Sequence, residues 1–205
     1  MKSSYKKICK LTISALIFIG VLGIVSCGEK EEGANESVLS IAKDKTVHAD
    51  IVEEFEKGYY DKDELQQAIL EQVVSYNKTA GGGNITVEKV ETGDNSVTVR
   101  MTYAGTQDYA SFNNAVFFVG TAKEAEEAGY NLNVVLSGVK DAKDTIGKGD
   151  MLAMKEEKIL ITNVNEGIAL SGKALYISDN VTVSSNAKTV WYTGKEDGLA
   201  YIVYK

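Results

Sequence analysis

Between Ser96 and Tyr103 the chain alternates strictly. Val97, Val99, Met101 and Tyr103 are separated by Ser96, Thr98, Arg100 and Thr102. A period of two turns one side of a strand inward and leaves the other in water. With NITVEKV before it and ETGDN between, this stretch predicts a hairpin. Upstream, Val47, Ala49 and Ile51 alternate with His48, Asp50 and Val52. SVLSIA and TVHADIVEEF are therefore read as two strands joined by a tight turn through AKDK. The period then changes. In YYDKDELQQAILEQVVSYN, Leu65, Ala68, Ile69, Val73 and Tyr76 share one helical face. Asp61 and Glu64 have capping-box spacing at its start, and the glycines of TAGGGN end it.

TQDYASFNN predicts a helical turn or two, and the short apolar run AVFFVG a strand buried on both faces. TAKEAEEAGY reads as a short helix with a second capping box, Thr121 with Glu124, and Gly129 at its end. From Tyr130 onward the runs are short and β-like: NLNVVLSG, DMLAMK, KILITNV, GIALSG, ALYIS, NVTVSS, KTVWYT and LAYIVYK. ALYISDNVTV suggests a hairpin with Asp179 and Asn180 in its turn. The fold class is α+β. The N-terminal half carries hairpins and one main amphipathic helix, and helices are confined to it. The C-terminal half consists mostly of short antiparallel strands, as a small barrel or sandwich. Residues 38–205 form the globular region, with one core or a subdivision near residue 130 both open. The sequence contains no proline, so its turns rely on Gly, Asn and Asp.

The first residues follow another logic. Lys2, Lys6, Lys7 and Lys10 precede an uncharged stretch from Leu11 to Val25. Those fifteen residues make a helix of about 22 Å, short of a hydrocarbon core of roughly 30 Å. A basic segment, a short apolar segment and a small residue before a boundary describe a secretory signal. The boundary Ile24-Val25-Ser26-Cys27 resembles the bacterial lipobox. That resemblance implies cleavage just before Cys27 and a diacylglyceryl group on its sulfur. Residues 1–26 are then a lipoprotein signal peptide, and residues 27–37, with GEKEEGANES, a flexible acidic tether. Cys9 leaves with the signal, so the remaining chain carries no spare thiol and no disulfide. YYDKDEL, DYASFN and GKALYISDN look similar to stretches of uncharacterised surface lipoproteins of anaerobic Gram-positive bacteria. The expected placement is the extracytoplasmic face of the cell membrane, anchored through lipid.

Charge narrows the partners. Removing residues 1–26 takes away four lysines and no acid, which moves the net charge from −7 to −11. Such a surface repels nucleic acid and anionic headgroups. The expected partners are the membrane, through the N-terminal lipid, and a protein or glycan ligand. The single histidine, His48, falls on the polar side of its strand, beside Asp50. With one histidine and no free thiol, zinc and other transition metals have too few ligands. The acidic cluster Glu53, Glu54, Glu56, Asp61, Asp63 and Glu64 fails the EF-hand spacing, because Gln66 stands where glycine is needed. TAGGGN follows a helix and lacks the lysine of a phosphate loop. No catalytic residue, cofactor or metal site is expected. Tyr59, Tyr60, Tyr109, Phe112, Tyr130, Trp191, Tyr192, Tyr201 and Tyr204 either fill the core or offer platforms for sugars and proteins. A non-catalytic surface binding module is the leading expectation. The alternative is a hydrolase of cell-envelope glycan using two carboxylates across an aromatic-walled cleft.

Overall fold

The computed structural model describes residues 37–54, 62–93, 96–194 and 198–205. The first strand, β1 (Val38–Ile41), returns antiparallel as β2 (Val47–Glu54), with Ile41 opposite Val47. The turn between them is closed by Lys45 N–H donating to the Ala42 carbonyl at 3.0 Å. Lys45 takes a left-handed φ of 72°, and the Asp44 carboxylate accepts from Thr46 N–H at 3.0 Å. That bond holds the Asp44 carboxyl below its ordinary range. The long helix α1 (Lys62–Ala80) follows. Ile69 and Val73 are buried, while Leu65 and Tyr76 are partly covered. Ala68, expected on the same face, is exposed instead, because α1 touches the sheet along a narrow stripe. Asn77 joins its end to the next strand: its side chain donates to the Ile85 carbonyl at 2.8 Å and accepts from Ile85 N–H at 2.9 Å. The hairpin β3 (Ile85–Thr92) and β4 (Ser96–Tyr103) has the expected facing, with Val97, Val99, Met101 and Tyr103 all buried.

Helix α2 (Thr106–Asn113) leads into β5 (Phe117–Gly120), and α3 (Ala122–Glu127) follows with the Thr121–Glu124 capping box formed. Gly129, just past α3, has φ +87°, a conformation that favours glycine. The second half contains β6 (Leu136–Gly138), β7 (Thr145–Ile146), α4 (Lys148–Ala153) and β8 (Lys158–Thr162). Then come β9 (Gly167–Ala169), β10 (Ala174–Ile177), β11 (Val181–Val183), β12 (Thr189–Tyr192) and β13 (Ala200–Tyr204). Two open sheets result, and neither closes into a barrel. One runs β11-β12-β9-β1-β2-β4-β3, the other β5-β8-β13-β10-β6-β7. Each draws strands from both sides of residue 130, for β1 pairs β9 in parallel and β5 pairs β8. The fold is α+β with sandwich-like strands.

The second sheet is covered on both faces. Leu160, Ala200, Ile202 and Tyr204 join the core shared with the first sheet. Ile159, Ile161, Tyr201 and Val203 join a second core with Ala122, Ala125 and Met151 of α3 and α4. This explains why AYIVY and KILI are continuous apolar runs rather than alternating ones.

Two expectations are corrected. DMLAMK is largely helix α4, so helices are not confined to the first half. Only Met151 of its six residues is buried, too little for a period to show, and Asp150 caps the turn by accepting from Gly147 N–H at 2.9 Å. ALYISDNVTV is not a hairpin, because β10 and β11 lie in different sheets. Ser178 N–H donates to the Tyr201 carbonyl and Ser178 Oγ accepts from Tyr201 N–H, both at 2.9 Å. Those bonds hold the chain on β13 up to the corner. Beyond it, Val181 pairs with Tyr192 in the other sheet.

Leu160→Ala removes a fully buried side chain from the middle of β8. The expected cost is about 2–5 kcal/mol in urea unfolding. Because the sheets interleave, Trp191 fluorescence and far-UV circular dichroism are expected to shift together to one lower midpoint.

Candidate functional site

The β1–β2 turn ends one sheet, and the ends of β5 and β13 and the start of β8 lie beside it in the other. Between them is a cleft of about 230 Å³. Lys43 and Lys45 of the turn, Lys158 at the start of β8 and Lys205 after β13 all line it. Strand pairing fixes two of its walls, since Lys158 lies opposite Tyr204 in the β8–β13 register. Lys205 N–H donates to the Lys173 carbonyl at 3.1 Å. Gly172 makes that approach feasible: a Cβ there would lie 1.1 Å from the Lys205 carbonyl oxygen. Val119 and Ser171 complete the lining.

The charge of this cleft runs against the chain's net charge of −7. Among the described residues, ion pairs join Lys89 to Glu91, Arg100 to Asp50, Lys123 to Glu127 and Lys148 to Glu126. None of the four cleft lysines has a carboxylate within 4.0 Å among those residues. Their charge nevertheless reaches Glu124. Its carboxyl is held below the ordinary range first by Thr121 N–H at 2.7 Å, with Lys45 and Lys158 adding to the effect against partial desolvation. Glu156 also lines the cleft. Tyr204 is buried, and desolvation pushes its phenol up to about 12, moderated by a hydrogen bond with Ser171. At neutral pH it is an uncharged hydroxyl beside the lysines.

A second group of titrating residues lies at the other end of β1. Gly167 N–H donates to the Ser37 carbonyl there, at 3.3 Å, and Glu166 immediately precedes Gly167. Burial raises the Glu166 carboxyl, opposed by bonds from backbone N–H groups. Burial also raises Glu53, and the Glu166 charge adds to it. The same charge acts on Tyr103 and Tyr109, which burial already raises, Tyr103 to about 12. The two phenol rings meet edge to face at 5.1 Å. Of the expected acidic cluster, only Glu53 is turned inward. Glu54, Asp63 and Glu64 are exposed, whereas Glu56 and Asp61 lie outside the described residues. Among the described residues no three His, Cys, Asp or Glu side chains converge as a metal site.

Cys27, Tyr59 and Tyr60 also lie outside the described residues. His48 is exposed, with Nδ1 2.9 Å from Thr102 Oγ1, and Asp50 pairs with Arg100. Tyr109, Tyr192, Tyr201 and Tyr204 are buried, while Phe112, Tyr130 and Trp191 are half-buried. The aromatics serve chiefly as core. Sequence reasoning missed both charged groups. The lysines come from four places in the chain and form no linear motif, and Glu166 sits in a loop far from Glu53. The one local signal was KDK in a turn of an acidic chain. Comparison with protein-family models, with curated proteins and with solved structures returned no match.

The Glu166 carboxyl titrates higher in the folded chain than its ordinary value of 4.5. Its favourable contribution is therefore complete below that value and lost as pH rises through the folded one. Thermal unfolding followed from pH 4 upward is expected to show this loss, and Glu166→Gln to flatten it. Gly172→Ala is expected to cost about 1–3 kcal/mol, because a backbone oxygen must move to admit the methyl group.

Proposed function

We propose that this chain is a lipid-anchored extracytoplasmic lipoprotein acting as a non-catalytic binding module at the cell surface. Cys27 carries the lipid, and residues 28–37 space the domain from the membrane. The observation that carries the binding role is the lysine-lined cleft on a chain of net charge −7. Its position supports the reading. The tether enters at Ser37, before the first residue of β1, whereas the cleft begins at Ala42, after its last. Four residues of strand separate them by about 13 Å. A ligand therefore meets the cleft at the end of β1 opposite the anchor. The ligand is a protein or glycan of the cell surroundings, and the membrane is a partner only through the lipid.

A specific observation favours a second reading. Glu53 and Glu166 interact electrostatically, both carboxyls are raised by burial, and the Glu166 charge also acts on Tyr103 and Tyr109. A glycan hydrolase needs one carboxyl kept protonated as general acid beside a second that stays ionised, and two interacting acids could divide those roles. Neither acid, however, lines the lysine cleft.

Mass spectrometry of the native protein is expected to find a diacylglyceryl adduct on an amino-terminal Cys27, and Cys27→Ser to abolish labelling by radioactive fatty acid. Unmodified Cys27 still joined to residues 1–26 would overturn the anchor. Incubated with purified envelope glycan, the protein is expected to release no reducing sugar. Release that falls at least about 100-fold in Glu166→Gln would establish the hydrolase instead.

A further inference from the structure

We propose that the lysine-lined cleft is a phosphoryl-binding site, taking the doubly charged phosphate group of a small ligand. The inference rests on the binding role proposed above and gives this cleft a small phosphorylated ligand in place of a protein or glycan. Lys43, Lys45, Lys158 and Lys205 line the cleft with one carboxylate residue, Glu156, and the charges of Lys45 and Lys158 also reach Glu124. Positive charge is in excess, and among the described residues no ion pair within 4.0 Å neutralises any of the four lysines.

The donors are all lysines. A lysine ammonium is a compact point charge with three donors that can be distributed around a tetrahedral anion. Arginine's planar fork suits a flat carboxylate better, and no arginine lines the cleft. Ser171 adds a hydroxyl group that can donate without bringing charge. The volume, about 230 Å³, is below the roughly 300–1,000 Å³ of sites for drug-sized ligands. A phosphate with a short substituent suits it better than an oligosaccharide does.

The cleft is also preformed. Lys45 is held by a hydrogen-bonded turn, and Lys158 and Lys205 are tied to paired strands. Only lysine side chains need to be ordered when the anion arrives, which limits the entropic cost of binding. The acidic remainder of the chain repels anions at a distance. That repulsion is screened over about 8 Å at physiological ionic strength. Within the cleft the four lysines outnumber Glu156 and the nearby Glu124.

The test is calorimetric titration of the full chain, purified in nonionic detergent at low ionic strength, with inorganic phosphate and separately with glycerol phosphate. Acetate is the control anion. Saturable binding of at least one phosphate compound, tighter than about 1 mM, is expected, with none for acetate. A glycerol phosphate affinity higher by about 5-fold or more would identify an ester as the ligand; equal or tighter inorganic phosphate would identify the free anion. Lys45→Gln and Lys158→Gln are each expected to weaken binding by roughly 3–10-fold, a range typical of one charged contact to an anion. Lys89→Gln makes the same charge change on β3, at an ion-paired lysine, and is expected to leave affinity unchanged. Circular dichroism checks folding, and Lys43→Gln, in the exposed turn, replaces any variant that fails. The proposal is overturned if neither phosphate compound binds, if acetate binds as well, or if Lys89→Gln weakens binding as much as the cleft variants. Those results leave the lipid on Cys27 and binding elsewhere on the domain standing. An unlipidated Cys27 removes the anchor without touching the phosphate result.

Discussion

The structure depends on burying β13 between β8 and β10. AYIVY is buried at all five positions, with alternate side chains entering different cores. At roughly 1.5–3 kcal/mol for each large apolar side chain, this strand joins two separate hydrophobic contributions in one element. It also sets the geometry around it. Tyr201 holds the Ser178 corner, where the chain passes between sheets, and Tyr204 brings Lys158 and Lys205 to the cleft. Being almost last in sequence, β13 pairs over long separations, as β1 does with β9. Such topologies fold slowly relative to helical ones. The absence of proline removes prolyl isomerisation as a further slow step.

Charge is divided along the sandwich. At the Ser37 end of β1, burial resists the ionisation of Glu166 and Glu53. At the Ala42 end are four lysines with no carboxylate within 4.0 Å among the described residues. The two ends differ in what they tolerate. A buried carboxyl can relieve its desolvation by keeping its proton, so the first end adapts to its surroundings through protonation. The lysines line a solvent-accessible cleft, where the proposed anion would meet them. This division separates a group that adjusts stability from one suited to recognition.

How much could be read from the sequence follows from how local each cause is. The β4 alternation and the Thr121–Glu124 cap are set by neighbouring residues and are found as expected, whereas AVFFVG forms a strand over Phe117–Gly120 in which Phe117 and Val119 are buried and Phe118 is half-buried. The α+β class follows from the same local patterns. Sheet membership does not. Asp179 and Asn180 promote a turn whether the flanking strands pair or part, and only the bonds between Ser178 and Tyr201 decide that they part. Helix α4 was hidden because six residues with one buried side chain display no period. The cleft is less local still. Lys43 and Lys205 stand 162 positions apart in the sequence, and only the sandwich brings them together.

The proposed anchor and the proposed site also constrain each other through β1. A ligand held at the Ser37 end would have to reach past the tether and close to the bilayer, whose headgroups repel anions. At the Ala42 end the same ligand approaches from the aqueous side. In the proposed arrangement the acidic stretch GEKEEGANES reinforces the asymmetry, since carboxylates on the anchored side would turn anions away from it. Net negative charge is thus compatible with an anion site here. It disfavours large polyanions, which must pass many carboxylates to reach four lysines. A small phosphate compound experiences mainly the charges within a Debye length, about 8 Å, and in the cleft four lysines outnumber Glu156 and the nearby Glu124.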